Sequence, residues 1–317
     1  MTDVHNTEPP VVAVTDEGRH SAGEETLWNE SWYCDVADPS QRWGAYLRLG
    51  LYPNRNQTWL HVTVAGRDRP LTFLADDRAP LVTGDELVQQ TPQWTTRLET
   101  VSALKVWRVT ARMTAEQFDD PRAVFRRERG TPVEVDVDLT WTSVAPPYHY
   151  GLTTRYEVSA RVIGTIRIGD ETIAVDAGGQ RDHSWGVRDW WAFGWCWSAG
   201  TLEDGTAFHL SDIRFGTDST GFGYVVTPDG RLTPAREISA SEELDGDSVP
   251  VSAALAVEPG DLRMTLVPVS LSPILFDDGT GRVARMSRVL CRYETEDGRV
   301  GSGWTEWNFP WAPAHPA

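Results

Sequence analysis

The chain has 317 residues, 40% of them hydrophobic, with 29 lysines and arginines against 46 aspartates and glutamates, for a formal net charge of -17. A surface of that sign repels phosphate backbones and anionic bilayers, which argues against nucleic acid and stable membrane insertion. No stretch approaches the roughly 20 apolar residues that span a bilayer, and no basic segment leads into an apolar one at the N-terminus, so the expected location is the cytoplasm.

A chain of this length exceeds one ordinary core, and two β domains are expected. Cys34, Cys196 and Cys291 are far apart and odd in number, fitting neither a disulfide framework nor a zinc site. They read as reduced thiols. Tryptophan stands out, with 15 residues. Indoles in such number suit thick β cores or the wall of a cavity for an apolar ligand.

In chain order, residues 1–20 lack periodicity, carry Pro9 and Pro10, and read as a mobile arm. Gly44 to Gly50, a turn containing Pro53, Asn54 and Asn56, and Thr58 to Val64 predict a hairpin. Met113 to Arg129 is dominated by charge and is expected to be a helical or irregular insertion. Val133 to Leu139 alternates apolar and acidic residues, the mark of a strand with one buried face. Similar alternation recurs in 104–109, 162–168, 262–269 and 289–293, so the fold is all-β, built as sandwiches or barrels. A weak repeat relates Glu30-Ser31-Trp32 to His183-Ser184-Trp185, each preceding a hairpin. Pro146-Pro147 interrupts pairing donors and marks the expected boundary between domains at 21–147 and 148–317.

The segment Gly178 to Trp191 concentrates three glycines, two arginines, two aspartates, a histidine and three tryptophans. If Asp182 to Trp185 is a regular strand, Asp182 and Ser184 face one side while His183 and Trp185 face the other, and Asp182 and His183 form no dyad. One reading makes Arg181 or Arg188 pair with Asp182 or Asp189 to tie two barrels together. The other puts a buried carboxyl or imidazole, with perturbed proton affinity, beside an apolar substrate. Glu157, beside Tyr156, and Glu306, between Trp304 and Trp307, are further carboxylates near aromatics, and His209 is a histidine that could reach a cavity. Local signatures for dinucleotide, phosphate, acyl-serine and zincin chemistry are missing, no cofactor is implied, and histidines scattered singly do not suggest a metal.

The run Gly179-Gln180-Arg181-Asp182-His183-Ser184-Trp185-Gly186-Val187-Arg188-Asp189-Trp190 resembles the hydroxyneurosporene synthase and AttH-like group, and weaker likeness extends to 30–33, 44–50 and 301–303. The resemblance implies two lipocalin-like β-barrel domains in tandem and, for some members, cofactor-independent hydration or cyclisation of polyenes in a β-walled cavity. Such chemistry needs a proton donor in a dry site and aromatic faces for developing cationic charge. Asp182 is the first candidate acid, with His183 as base or water-positioner. Trp185, Trp190 and Trp191 would form the wall, and Tyr156, Arg188 and His209 would add substrate contacts. Arginines beside Asp182 would keep it ionised, in which case the acid is Glu157, Glu306 or Glu30. The expected function is a cofactor-free lyase or isomerase acting on a terpenoid or similar apolar molecule; a non-catalytic carrier of an apolar ligand is the alternative.

Overall fold

The computed structural model describes residues 11–258, 262–277 and 281–310. Among them there is no α-helix; short 3-10 turns interrupt an otherwise antiparallel β-structure. No helix is long and apolar enough to cross a membrane.

The first sheet contains β1 (Trp28–Ala37), β2 (Gly44–Tyr52), β3 (Gln57–Ala65), β4 (Leu71–Pro80), β5 (Leu87–Gln90), β6 (Trp94–Ser102), β7 (Val106–Phe118), β8 (Thr131–Ser143), β9 (Tyr148–His149), β10 (Arg155–Ile168) and β11 (Glu171–Val187). Its path runs β4-β3-β2-β1-β11-β10-β8-β7, and a short pairing of Leu71 to Phe73 with Glu116 to Phe118 joins β4 back to β7. That pairing closes a barrel. Its interior is packed by Trp32, Trp94, Trp107 and Trp141 with aliphatic residues of every strand pair.

The second sheet contains β12 (Gly194–Leu202), β13 (Ala207–Phe215), β14 (Asp218–Val226), β15 (Leu232–Pro234), β16 (Glu237–Leu244), β17 (Pro250–Glu258), β18 (Leu262–Asp277), β19 (Val283–Thr295) and β20 (Val300–Phe309), in the order β15-β14-β13-β12-β20-β19-β18-β17-β16. It curls until Arg214 on β13 bonds Glu242 on β16. Cys196, Phe208, Tyr293 and Trp307 fill its interior. All three cysteines are buried free thiols.

Several strands are buried on both faces because one face looks into a barrel and the other into the seam between barrels. On β1, Trp32, Cys34 and Val36 enter the first barrel's core while Tyr33 and Ala37 enter the seam. On β12 the alternation places Trp195 and Trp197 in the seam and Cys196 in the second barrel. Tryptophans therefore serve both cores and the seam.

Three expectations change. The sheet switches between Val187 and Gly194, not at Pro146-Pro147, because β9 and β10 resume pairing on the first sheet after the prolines. Glu30-Ser31-Trp32 and His183-Ser184-Trp185 are not equivalent strands of two units, since both lie in the first sheet with Ser31 opposite Ser184 and Trp32 opposite His183. The stretch from Met113 continues β7 to Phe118 before a 3-10 turn at Pro121–Ala123, where Asp120 accepts from the Arg122 amide.

Residues 1–10 of the expected arm lie outside the described residues. The rest of it is docked: Glu17, on a 3-10 turn at Val14–Glu17, accepts from both terminal nitrogens of buried Arg181 at 2.8 and 3.1 Å. Removing one partner of a buried ion pair strands the other charge. Glu17→Ala is therefore expected to cost about 3 kcal/mol of stability, measurable by denaturant unfolding, whereas a freely mobile arm would leave stability unchanged.

Candidate active site

Between the two barrels lies a cavity of about 340 Å3, walled by β1, β2 and β11 from one side and by β12, β13, β19 and β20 from the other. Trp190, Trp195 and Trp197 supply its indole faces, and Phe193, Phe215 and Phe222 extend the aromatic wall. Its charged lining is unusual for an apolar pocket: Arg48, Arg155, Arg188 and Arg288 against Asp182 and Glu306.

Strand alternation divides the central motif between two environments. Asp182 and Ser184 line the cavity, and Ser184 Oγ is 3.1 Å from Ser31 Oγ across the β1–β11 pairing. His183 and Trp185 point away. His183 Nε2 lies 3.0 Å from Glu30 Oε1 and its Nδ1 2.8 Å from the Asp16 carbonyl, while Trp185 stacks on His20 at 3.8 Å between ring centroids. His183 is thus no base or water-positioner for this cavity, and Trp185 is not part of its wall. Tyr156 shares that opposite face, its hydroxyl donating to Glu17 at 3.0 Å.

His20, Glu30 and His183 bring three potential metal-ligating atoms within 4.8 Å of one another. They bond to each other, with His20 Nδ1 2.8 Å from Glu30 Oε1. Burial pushes the Glu30 carboxyl up, but hydrogen bonds from His183 and His20 outweigh it and hold the carboxyl below its ordinary value. The trio reads as a self-satisfied network tying the N-terminal segment to β1 and β11.

Glu157 sits opposite Asp182 across β10 and β11, one layer behind the cavity wall. It accepts from Tyr150 Oη at 2.9 Å, Arg155 Nε at 2.8 Å, Gln180 Nε2 at 2.8 Å and Trp197 Nε1 at 3.1 Å. Arg155 Nη2 also reaches Asp182 Oδ2 at 2.6 Å, so one guanidinium bridges both carboxyls. Burial favours the neutral form of each. For Glu157 that is outweighed by Arg155, His209 and the Gln180 and Trp197 donors, and its proton affinity ends below the ordinary value. Asp182, with fewer donors, is carried by burial up to about 7, opposed by Arg155 and reinforced by the charge on Glu157. The two carboxyls divide the roles: Glu157 keeps the charge, and Asp182 takes the proton.

His209 stands behind the same wall, its Nε2 beside the Tyr150 hydroxyl and its Nδ1 3.1 Å from the Ser198 carbonyl. Burial, opposed by Glu157, lowers it to about 4, so it is neutral; with its proton on Nδ1 towards the Ser198 carbonyl, its Nε2 accepts and shares the single Tyr150 hydroxyl proton with Glu157. Glu306 lines the cavity but is committed to Arg288 and to Trp195 Nε1 at 2.6 Å. Trp191 packs beside the seam, its Nε1 3.4 Å from the Phe276 carbonyl. Of the eleven residues read from the sequence as site candidates, Asp182, Arg188, Trp190 and Glu306 line the cavity.

Sequence reasoning missed Arg48, Arg155 and Arg288. A signal existed for the first two. Arg48 interrupts an otherwise apolar strand between Leu47 and Leu49, and Arg155 is two residues from Glu157, hence on the same strand face.

Two antiparallel barrels in tandem, with the cavity at their seam and each interior packed, define a lipocalin-like double-barrel protein. The chain belongs to the family described as a domain of unknown function, DUF7064, which matches residues 13–310. No curated protein sequence matches it. Among solved structures it is similar to a Nitrosomonas europaea protein assigned as AttH, with TM-score 0.64 and 16% identity over 92% of this chain and 95% of that one. It is similar also to kievitone hydratase from Nectria haematococca, with TM-score 0.61 and 12% identity over 97% and 94%. CghA in complex with Sch210972 gives TM-score 0.56 and 10% identity over 95% and 94%. At these identities the likeness establishes the fold, and the AttH-like resemblance of the sequence holds at that level.

The unequal carboxyls are open to direct titration. The Asp182 carboxyl stretch, isolated by infrared difference between wild type and Asp182→Asn, is expected to titrate near pH 7. In Arg155→Leu it should move higher, because the opposing guanidinium is gone and Glu157 is left less neutralised. A titration in the ordinary aspartate range would refute the division of roles.

Proposed function

We propose that the chain is a cofactor-independent lyase or isomerase that binds a small, largely apolar molecule between its barrels and moves a proton through Asp182. The observation that carries this reading is one buried carboxyl that faces an aromatic cavity and shares Arg155 with a second carboxyl far richer in donors, so that burial pushes the first towards its protonated form. A group with affinity near the working pH is both a competent acid and a competent base. The fold shared with kievitone hydratase and CghA supports a lyase-type role.

In the hydration direction, the Asp182 acid gives its proton to carbon, water adds to the neighbouring carbon, and the proton that this water sheds restores the acid. Dehydration is the reverse. Ser31 and Ser184, whose hydroxyls meet at the cavity surface beside Asp182, are placed to orient that water. The indoles can stabilise developing positive charge by roughly 0.5 to 2 kcal/mol each. Four arginines oppose it, however, and favour a reaction whose developing charge is negative, such as proton transfer next to a carbonyl. That preference moves the substrate class away from pure hydrocarbons, terpenoid or otherwise, towards molecules with a conjugated oxygen function.

The aromatic wall alone would serve a carrier equally well. A panel of apolar enones and alkenyl phenols, followed by mass spectrometry, separates the two readings. Asp182→Asn is expected to lower turnover roughly 100-fold or more while affinity and melting temperature stay near wild type. Trp190→Ala should instead weaken binding. Binding without conversion of any compound, together with an unaltered Asp182→Asn profile, would favour the carrier.

A further inference from the structure

Not every guanidinium in the cavity is fully partnered. Arg155 is taken up by Glu157 and Asp182, whereas Arg288 meets Glu306 through one terminal nitrogen and otherwise lies over the Tyr33 and Tyr46 rings with Nε and Nη1 unpartnered. Arg48 is 7% exposed, yet its Nη1 and Nη2 are buried without a hydrogen-bond partner. Its Cζ lies 5.0 Å from the Trp190 ring centroid, and the Cζ of Arg188 lies 5.9 Å from the same ring. Both line the cavity. They face the same space and repel each other: burial first, then Arg155 and Arg48, lower the Arg188 guanidinium to about 10.

The sequence makes room for this pair. Arg48 and Gly50 lie on one face of β2, and a Cβ at Gly50 would stand 2.7 Å from Arg48 Nη1. Glycine there leaves the guanidinium free to lie along the strand towards Trp190. Unpartnered charged donors in a dry site are costly, and the cost is recovered when an acceptor arrives. Guanidinium forks match planar oxyanions, binding two oxygens at once.

We infer that the corner formed by Arg48, Arg188 and Trp190 is an oxyanion subsite that holds the carboxylate, or another ionised oxygen acid, of a substrate whose body is apolar. The inference rests on the seam cavity being the substrate site and adds the polar end of that substrate. Trp190 packs against the body next to the anion, Arg48 and Arg188 hold its oxygens, and the remaining aromatic wall accepts the rest. Asp182 stands close enough for both guanidiniums to act on its charge. A bound anion would therefore press it further towards its protonated form.

Calorimetric binding of 2-naphthoate and of its neutral isostere 2-naphthamide at pH 7.5 tests the subsite on the full chain. Naphthoate is expected to bind wild type at least about tenfold more tightly than the amide, the difference made by charge-assisted hydrogen bonds. Arg48→Gln should abolish the preference. Should that variant fail to fold, Arg188→Gln, at a less buried position, is expected to reduce the preference by itself. Equal binding of the two compounds would overturn the subsite while leaving the cavity as a ligand site. Failure of naphthoate to bind, or a preference unchanged in the folded arginine variants, would also overturn it. Loss of the catalytic reading would appear separately, as conversion that persists in Asp182→Asn.

Discussion

One guanidinium holds the candidate site in its working state. Arg155 reaches across the β10–β11 pairing to two carboxyls that strand register has already placed side by side. Without it, Glu157 and Asp182 would face each other buried and both would favour protonation. With it, the carboxyl richer in donors stays ionised, and the one turned towards the cavity keeps a labile proton. The Tyr150, Trp197 and His209 arrangement serves the same end, since Trp197 donates to Glu157 and the Tyr150 hydroxyl proton is shared between Glu157 and His209. A wall of aromatics is thereby also a wall of donors.

The seam explains why the cavity is where it is. Each barrel fills its own interior with bulky side chains. What is left is the space between curved outer surfaces, where the convex faces of β1, β2 and β11 meet β12, β13 and β20. Two barrels meeting along curved faces cannot pack evenly, and the gap is dressed with indoles and arginines. Flat apolar surfaces with charged groups at defined corners suit a molecule with an apolar body and an acidic end.

Much of this was legible in the residues. Period-2 alternation gave the β class, and in Asp182 to Trp185 it divided cavity-facing side chains from those on the face of the first barrel's interior. The same alternation was then overridden by the density of aromatics, which drew His183, Trp185 and Tyr156 into the expected site although their faces look elsewhere. Doubly buried strands were the harder problem. On β1, β2, β12 and β20 both faces are covered, so periodicity cannot say which core a side chain enters. Arg48 stood in plain view between two leucines, but its significance depends on Trp190 and Arg188, contributed from beyond β11. The sheet switch was misplaced because a proline pair interrupts pairing without forbidding the chain from rejoining the same sheet.

Incubating the protein in deuterium oxide with a panel compound that it binds, followed by mass spectrometry of the recovered molecule, puts the central claim to its most direct test. If Asp182 exchanges a proton with a carbon of the bound molecule, wild type should add one non-exchangeable deuteron and Asp182→Asn should add none. A ligand recovered unlabelled from wild type, or labelled equally by both proteins, would contradict the account.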